Sequence, residues 1–462
     1  MRILEIIENL KAGFRGNIDL EYKVKGFCTD SRDVKEGYVF FALKGSKLDG
    51  HDFVEDAFNR GAVAAVVNAS KPVSGENLPL VMVEDTYDAL KKLAKFRLGR
   101  LNAKTIGVTG SCGKTTTKNA IGHLLSARYS VYSSPKSYNT EVGISITILN
   151  APEDSEILVL ELGMNHRGEI SKLVKIAPLD IAIITNIMPV HIGNFSSFDE
   201  LKEAKAEILE GLGDGSYLVF NADDDNSRFL GERWDRKLLF GIREGDCRAV
   251  DLSLKQNRIA FGVEFQGRKL GNVEFGIPGK HNVYNVLGAM SVALLLGVPF
   301  EGIQRQARSF RLPPMRLETH RLEDIGVILI NDAYNANPFS MREAIEYLSR
   351  FNGRKIAVLG DMLELGDYSR QAHFDIGKAV AEAGVDLLLI LGEYADDYVN
   401  GALEAGMRTD RIIKFDSREP LVDFLKDKIS KGDIVLFKAS RACGFDTIFT
   451  EVKRCLEFSY SR

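Results

Sequence analysis

The sequence predicts an α/β protein of three domains, and two observations support this prediction. The chain has 462 residues, which is too long for one ordinary hydrophobic core and corresponds to about three domains of typical size. Apolar runs of strand length alternate with helical segments through most of the chain, as in parallel sheets covered by helices. Hydrophobic residues at 45% and charged residues at 27% are typical of a soluble globular protein.

The charge and the cysteine content exclude several classes of protein. A formal net charge of −4 argues against sequence-independent binding of nucleic acid, which needs a basic face. The five cysteines contain no C-x-x-C pair and are odd in number, so we expect reduced thiols and a cytoplasmic location. The segment MRILEIIENLKAG carries Glu5 and Glu8 among its apolar residues, which predicts an amphipathic helix and not a signal peptide. The longest apolar region, VLGAMSVALLLGVPF, is shorter than the roughly 20 residues that span a bilayer.

The first block of the chain ends near residue 102. Its strand-like runs include GYVFFAL (37–43) and AVAAVVN (62–68), and it closes with the helical segment DALKKLAKFRLGR. Between the strands, residues 29–53 are rich in Asp, Gly and short polar residues, and periodicity alone predicts only polar loops there.

The second block, residues 103–313, begins with a strand, a glycine turn and a helix, in the segments KTIGVTG and KTTTKNAIGHLLSAR. Its later units are, in chain order, the strands EILVLELG (156–163) and DIAIITNI (180–187), the helix FDELKEAKAEILEGL (198–212), a strand-rich insert around 246–277, and the helix NVYNVLGAMSVALLLG (282–297).

The third block, residues 314–462, follows a linker predicted at Pro313 and Pro314. Its buried-strand runs alternate with helices and predict a second doubly wound α/β domain. These runs are GVILINDAY (326–334), RKIAVLGDM (354–362), VDLLLILG (385–392) and DIVLFKAS (433–440).

The stretch TGSCGKTTT predicts a phosphate-binding loop. In such a loop, backbone N–H groups and a helix N-terminus face phosphate oxygens, a lysine adds positive charge, and the next hydroxyl reaches Mg²⁺. Lys114 and Thr115 fill the last two roles, and Gly110 and Gly113 supply the turn. The pattern G-x-x-x-x-G-K-[ST] is incomplete because Val108 replaces its first glycine, but the flanking strand and helix favour nucleotide binding over an accidental turn. The expected nucleotide contacts are Gly110, Ser111, Cys112, Gly113, Lys114, Thr115 and Thr116.

Polar residues near the strand ends that face this loop are candidate metal ligands. Glu161 ends one strand-like run, and His191 lies beyond the next. Each is unremarkable alone, but together a carboxylate and an imidazole can complete a Mg²⁺ shell beside the phosphates. Lys205 lies between Glu203 and Glu207, and its spacing alone predicts a solvated helix face.

Two further polar groups suggest nucleotide contacts. His281, Asn282 and Asn285 begin an otherwise apolar helix, where Asn282 is either an N-cap or a reader of the adenine edge. Asp332 and Asn335 follow a strand, where α/β folds bind ligands, although ordinary turn chemistry explains them equally. An Asp at this position can hold ribose hydroxyls.

These strings together resemble the Mur ligase family over essentially the whole chain and in the right order. They are DSR…FFALKG…DGHDF, TGSCGKTT, YNTEVG, LELGMNHRGEI, HIGNF, EAKAEI, GKHNVYN, the MR before the third block, DAYNANP and VLGDMLELG. The family's own phosphate loop has the short form, so Val108 is no departure from it. The resemblance favours the members that add D-alanyl-D-alanine to a UDP-N-acetylmuramoyl-tripeptide. It does not indicate whether the third residue of that peptide is meso-diaminopimelate or lysine.

The resemblance implies a UDP-muramoyl-peptide-binding domain (1–102), a central ATPase domain with a mostly parallel sheet (103–313), and a C-terminal Rossmann-like domain for nucleotide and D-alanyl-D-alanine (314–462). It also implies ATP, two Mg²⁺ ions and carbamoylation of Lys205, which turns an ammonium into a carboxylate-like ligand. We expect a monomer that acts on small molecules and binds neither nucleic acid nor membranes.

The same resemblance assigns site residues. The catalytic group is Lys114, Glu161, His191 and Lys205, and the metal ligands are Thr115, Glu161, His191 and Lys205. Nucleotide contacts beyond the loop are Asn282, Asn285, Arg316, Asp332 and Asn335. Contacts to the nucleotide-peptide are Ser31 with its neighbours Asp30 and Arg32, then Lys44, Gly45, Asp49, Asn139 and Thr140, and those to the dipeptide are Lys438, Ser440 and Arg441.

The implied reaction passes the γ-phosphate of ATP to the peptide carboxylate, and the amine of D-alanyl-D-alanine then displaces phosphate from the acyl phosphate. Sites divided among three domains imply closure before chemistry. The alternatives are another ligase on the same scaffold, namely the diaminopimelate- or lysine-adding Mur ligase or folylpolyglutamate synthase, and an ATP-gated regulatory protein without chemistry. The third block lacks the D-[ND]-P-[AR] motif of the amino-acid-adding type, and FFALKG…DGHDF disfavours the folate enzyme.

Overall fold

The strands of the protein form three separate sheets. The computed structural model describes residues 1–73, 75, 77–135, 137–190 and 192–459. Within these residues the sheets contain five, nine and six strands, taken from the first, middle and last parts of the chain. Most neighbouring strands in each sheet are parallel, so the predicted α/β class is confirmed.

The first sheet is built from residues before the phosphate loop. Its elements are α1 (Ile3–Leu10), β1 (Gly13–Arg15), β2 (Gly26–Cys28), β3 (Tyr38–Phe41), α2 (Val54–Asn59), β4 (Ala62–Asn68), β5 (Leu80–Val83) and α3 (Thr86–Arg100). The strand order is β1-β5-β4-β3-β2, with only β1 antiparallel to its neighbour. The amphipathic helix predicted at the N-terminus is α1, which buries Ile3, Ile6 and Leu10.

The second sheet carries the phosphate loop near its centre. Its elements are β6 (Lys104–Thr109), α4 (Lys114–Leu125), β7 (Val131–Ser133), α5 (Glu141–Leu149), β8 (Ile157–Glu161), α6 (Glu169–Ile176), β9 (Leu179–Ile184), α7 (Phe198–Ala206), β10 (Leu212–Asn221), α8 (Asp225–Gly231), β11 (Lys237–Gly241), β12 (Cys247–Lys255), β13 (Arg258–Phe265), β14 (Arg268–Phe275), α9 (Lys280–Leu295) and α10 (Phe300–Ser309). The order is β14-β13-β12-β11-β10-β9-β6-β8-β7. The predicted strand-rich insert is therefore an antiparallel extension of this sheet.

The third sheet has the order β15-β16-β20-β17-β18-β19, with only β15 antiparallel to its neighbour. Its elements are β15 (Glu318–Leu322), β16 (Val327–Asn331), α11 (Pro338–Ser349), β17 (Arg354–Leu359), α12 (Ser369–Glu382), β18 (Leu387–Leu391), α13 (Ala395–Glu404), β19 (Ile412–Phe415), α14 (Arg418–Lys428), β20 (Asp433–Lys438) and α15 (Phe445–Ser459). In parallel sheets the carboxyl ends of neighbouring strands meet at one edge, where ligands bind.

The three parts of the chain pack against one another. Helices α3 and α5 contribute to one hydrophobic core, so the first sheet is joined to the second. The second and third parts meet where Gly193 N donates a hydrogen bond to Glu364 O at 3.3 Å. A Cβ atom on Gly193 would lie 2.6 Å from Gly366 N, so this contact is made by backbone alone. No helix within the described ranges is long and apolar enough to cross a bilayer.

Candidate active site

The segment TGSCGKTTT forms the loop between β6 and α4, as the sequence predicts. Gly110 and Gly113 have φ values of 143° and 84°, which side chains disfavour. A Cβ atom on Gly113 would lie 2.1 Å from Asn285 Oδ1. Both glycines are therefore needed, and the residues from Ser111 to Thr116 line a large cavity at the N-terminus of α4. A helix N-terminus with free N–H groups is an anion site.

Two residues after β9, which no sequence motif indicated, hold this loop in shape. Asn186 accepts a hydrogen bond from Cys112 N (2.9 Å) and donates one to Cys112 O (3.1 Å). Thr185 Oγ1 also donates to Cys112 O at 2.6 Å. The Lys114 ammonium donates to Gly110 O at 2.7 Å, and burial lowers the pKa of this lysine. Thr185 and Asn186 directly follow β9, a strand that borders β6, and this position was the sequence signal that could have identified them.

Glu161 ends β8 beside the loop and is 2% exposed. Its Oε1 accepts a hydrogen bond from Asn139 Nδ2 at 3.3 Å, whereas its Oε2 has no hydrogen-bond partner among the described residues. Lys118 Nζ, one helical turn after Lys114 and also missed from the sequence, lies 3.8 Å from Oε2. A buried carboxylate oxygen without a hydrogen-bond donor is costly, so this atom fits a cation ligand. The Thr115 hydroxyl at the start of α4 is a second oxygen of the kind that Mg²⁺ prefers.

The burial of Lys205 contradicts the prediction, made from its spacing, that this residue lies on a solvated helix face. The residue is 4% exposed, and its Nζ has no hydrogen-bond or ion-pair partner within the described residues. Burial lowers the pKa of Lys205 well below its ordinary value, and the nearby Lys114 ammonium lowers it further. Glu207 is also buried, because its carboxylate accepts hydrogen bonds from Gly168 N (2.7 Å) and Ser171 N (3.1 Å). The helix predicted over residues 198–212 is present as α7 (Phe198–Ala206) followed by a 3₁₀ helix (Glu207–Gly211).

His191, the other predicted metal ligand, lies outside the described residues. Among those described, no group of three or more His, Cys, Asp or Glu side chains is placed to hold a metal ion. The donors beside the loop are the Glu161 carboxylate and the Thr115 hydroxyl. An ammonium repels a cation, so Lys205 fits as a ligand only after conversion to a carbamate.

The polar start of α9 lies against the loop. The helix begins at Lys280 with Gly279 before it, so the N-cap alternative for Asn282 is wrong. Asn282 Nδ2 donates to Pro278 O at 2.7 Å, and its Oδ1 accepts from Asn285 Nδ2 at 2.9 Å. Both asparagines are buried and line the cavity, where each amide supports the other.

Residues of the third part of the chain face the loop across the cavity. Arg316 Nη2 donates to Thr115 Oγ1 at 2.8 Å, and its guanidinium carbon lies 4.3 Å from the centroid of the Tyr334 ring. The Tyr334 hydroxyl donates to Ser137 Oγ. Arg316 is thus aimed at the phosphate loop, and Tyr334, which lies inside DAYNANP, supports it.

Lys438, which the resemblance assigns to the dipeptide, lines the cavity with its ammonium turned toward the predicted nucleotide residues. It is 2% exposed, and its Nζ donates to Asp332 Oδ2 (2.5 Å) and Asn335 O (3.1 Å). Leu317 N donates to Asp332 Oδ1 at 2.9 Å. Lys438 therefore binds the predicted nucleotide residues and has a buried ammonium.

The other two predicted dipeptide residues lie at the rim of the cavity. Ser440 Oγ accepts a hydrogen bond from Leu363 N at 2.9 Å, which fixes the loop after β17. Arg441 is about half exposed and its guanidinium lies 3.0 Å from the Asp446 carboxylate. Of the three residues, Arg441 is the one with an accessible charge.

The predicted nucleotide-peptide residues of the first part form local contacts. Arg32 is exposed and pairs with Asp30 at 2.6 Å, while Ser31 is buried. Asp30 lines a smaller cavity of about 540 Å³ between the first and second parts, together with Thr140. Thr140 also caps α5 by accepting from Gly143 N at 3.3 Å.

The segment from Lys44 to Asp49 lies next to the large cavity. The Tyr87 hydroxyl, on a residue that lines the cavity, donates to Lys44 O at 3.0 Å. Gly45 N donates to Leu48 O at 2.8 Å, which closes a tight turn. Asp49 accepts from His51 Nδ1 at 2.7 Å and pairs with Lys71, so its carboxylate holds the loop in shape.

One cavity of about 1050 Å³ brings the three parts together. Its lining includes Tyr87 from the first part, Lys114 and Glu161 from the second, and Asp332 and Arg441 from the third. No single part of the chain encloses this space.

Three family models match the chain in order. The model described as Mur ligase family, catalytic domain matches residues 23–97, Mur ligase middle domain matches residues 108–293, and Mur ligase, glutamate ligase domain matches residues 315–441. The chain belongs to the Mur ligase family.

Several relatives that are similar over most of their length carry the name of one ligase. The UDP-N-acetylmuramoyl-tripeptide–D-alanyl-D-alanine ligase of Bacillus subtilis (strain 168) is 35% identical over 455 residues, 98% of each chain. A crystal structure of MurF from Acinetobacter baumannii is similar with a TM-score of 0.86 at 30% identity, over 98% of each chain. That of Thermotoga maritima MurF in complex with ADP has a TM-score of 0.79 at 32% identity, over 94% of this chain and 99% of the other.

Proposed function

We propose that this protein is an ATP-dependent amide-bond ligase that adds D-alanyl-D-alanine to UDP-N-acetylmuramoyl-tripeptide. The products are the UDP-muramoyl-pentapeptide precursor of peptidoglycan, ADP and phosphate. The observation that carries the proposal is the cavity in which the phosphate loop and Glu161 face Asp332 and Arg441 of another part of the chain. The ligase name of the Bacillus relative, similar over 98% of both chains, supports the same reaction.

The chain's own groups account for phosphoryl transfer to the peptide carboxylate. The N–H groups at the start of α4 and the Lys114 ammonium hold the phosphates and offset the negative charge that develops on them. Arg316 adds a second cation from the opposite wall. The γ-phosphorus–oxygen bond to ADP breaks as the carboxylate oxygen bonds to phosphorus, giving an acyl phosphate. The dipeptide amine then attacks the acyl carbon and phosphate leaves.

Enclosure matters because an acyl phosphate is readily hydrolysed. The cavity is walled by all three parts of the chain, so closure around the substrates excludes water during the second step. The ADP bound in the Thermotoga relative supports ATP as the phosphate donor here.

We propose Mg²⁺ as the cofactor, held by Thr115, Glu161, His191 and carbamoylated Lys205. Two bound ions would supply charge neutralisation at the transferring phosphate. Glu161 fits this role because its Oε2 is buried without a hydrogen-bond donor. Lys205 fits because burial keeps its pKa low, so the neutral amine can attack CO₂, lose a proton and become a carbamate.

The proposed contacts to the nucleotide, the muramoyl-peptide and the dipeptide lie on residues that line the cavity, whereas those to the UDP group lie on connecting segments of the first part of the chain. We propose adenine beside Asn282 and Asn285, phosphates and ribose at Arg316, Asp332 and Asn335, the muramoyl-peptide at Asn139 and Thr140, the UDP group at Ser31, Arg32, Lys44, Gly45 and Asp49, and the dipeptide at Ser440 and Arg441. The domain boundaries 1–102, 103–313 and 314–462 belong to the same proposal. A cytoplasmic location follows from the use of ATP and a nucleotide precursor.

A coupled assay of phosphate release tests the proposal. We expect release only when ATP, UDP-muramoyl-tripeptide and D-alanyl-D-alanine are all present, with a stoichiometric gain of the pentapeptide by mass spectrometry. Nucleotide-peptides ending in meso-diaminopimelate and in lysine should be compared in the same assay. ATP turnover that does not depend on the two acceptor substrates would contradict the ligase.

A further inference from the structure

Lys438 and Asp332 form a buried ion pair where two neighbouring strands end. β16 and β20 are parallel neighbours, and these residues follow or end them. An ammonium has three N–H donors. Those of Lys438 face Asp332 Oδ2 (2.5 Å), Asn335 O (3.1 Å) and, more distantly, Asp332 O (3.5 Å). No donor of Lys438 is left for the carboxylate of a dipeptide.

Asp332, by contrast, keeps capacity for a ligand. A carboxylate has about four acceptor positions, and the described donors, Leu317 N at Oδ1 and Lys438 Nζ at Oδ2, use two of them. Asp332 also lines the cavity that contains the phosphate loop. The charge of Lys438 offsets that of the carboxylate, which would otherwise repel the phosphates of a nucleotide.

We propose that Lys438 is a positioning residue for the nucleotide: it orients and neutralises Asp332, and it does not contact D-alanyl-D-alanine. The inference rests on the proposed function in taking ATP and the dipeptide as substrates. The proposal gives Lys438 and Arg441 different roles. Arg441, three residues later, has an exposed guanidinium and remains the candidate for contact with the dipeptide.

The test is Lys438→Met, which keeps much of the side-chain volume and removes the ammonium. ADP binding is measured by isothermal titration calorimetry without the dipeptide, and we expect the Kd to rise about 10- to 100-fold, as for loss of a charged hydrogen bond. In turnover, the KM for ATP should rise while the KM for D-alanyl-D-alanine stays within about twofold, because only the nucleotide side is disturbed. Lys428→Met, at the exposed end of α14, is the matched control and should change neither.

A double-mutant cycle separates positioning from misfolding. The double variant Asp332→Asn/Lys438→Met leaves no unpaired buried charge, so it stays folded even if Lys438→Met does not, whereas Asp332→Asn alone leaves the buried Lys438 ammonium without its carboxylate. If Lys438 acts through Asp332, the double variant should bind ADP within about twofold of Asp332→Asn, because coupled residues are not additive. Circular dichroism and thermal melting check that each variant is folded.

Several outcomes would overturn the inference. A raised KM for the dipeptide with unchanged ADP binding would place Lys438 at the dipeptide, and a fully additive double variant would remove the coupling to Asp332. ADP affinity unchanged in a folded Lys438→Met protein would leave only a structural role. Failure of the ligase reaction in the wild type, with ADP binding still lost in the variant, would contradict the proposed function alone.

Discussion

Two buried lysines near the phosphate loop have opposite surroundings. Burial raises the pKa of the Cys112 thiol, and the ammonium groups of Lys205 and Lys438 both oppose that rise, so both lie within electrostatic reach of the loop. Lys438 donates to a carboxylate and a carbonyl, whereas Lys205 has no partner within the described residues. A buried lysine that donates to neighbouring oxygens fixes the position of those groups. An unpaired one gives up its proton readily, and its amine is available for chemistry.

The largest effect is expected from Lys205→Ala. We expect the rate of amide formation to fall about 100- to 1000-fold, because the carbamate that we propose beside the reacting phosphate would be lost. Short-chain carboxylic acids should restore part of the rate by entering the vacated space, as measured in the phosphate-release assay.

The matched control for this experiment lies on the same helix. Lys202→Ala, whose side chain pairs with Asp199 away from the loop, should keep the rate and show no response to added acids. The rate of the Lys438→Met variant should also not increase when short-chain carboxylic acids are added. Full activity of the plain Lys205→Ala variant would contradict the assigned role.

Substitution of the two lysines by methionine should affect the free energy of unfolding differently. Lys438→Met leaves the Asp332 carboxylate buried without its cation, and we expect the free energy of unfolding to fall by about 3 kcal/mol. Lys205→Met removes an uncompensated buried amine, and the same quantity should stay level or rise by about 1 kcal/mol. Urea unfolding in CO₂-free buffer measures both changes. Equal destabilisation by the two substitutions would show that pairing does not distinguish the sites.

A smaller effect is expected from Glu161→Gln, which keeps the shape of the side chain and removes its charge. We expect the Mg²⁺ concentration for half-maximal activity to rise about tenfold, because the proposed anionic ligand would become neutral. Glu156→Gln, at the exposed start of the same strand segment, is the control. An unchanged Mg²⁺ requirement in Glu161→Gln would remove this residue from the proposed ligands.

The smallest effect is a change in the pH dependence of stability. The pKa of Lys205 is lower in the folded protein than in the unfolded chain, so the unfolded chain binds more protons between the two values. Stability contributed by this residue therefore rises as pH rises toward about 10.4, the pKa of an exposed lysine. In CO₂-free buffer, the advantage of Lys205→Met over the wild type should shrink between about pH 7 and pH 10. A constant difference would mean that Lys205 titrates normally.

The fold and the phosphate loop were predictable because their signals are local. The strand KTIGVTG, its glycine turn and the following helix lie next to one another, and AVAAVVN coincides with β4 (Ala62–Asn68). The burial of Lys205 was not predictable, because it depends on where α7 packs and on the bonds of Glu207 to α6. Nor was the pair of Lys438 with Asp332, which are 106 positions apart and meet only because β20 lies beside β16.

The backbone contact between Gly193 and Gly366 has a consequence for closure of the active site. At this point the second and third parts of the chain approach until a single added methyl group would touch the opposite backbone. The distance between the two parts at this contact is therefore set by glycine backbone, with no side chain between them. An alanine at Gly193 would act as a wedge between the second and third parts of the chain, because its methyl group would meet the backbone of Gly366.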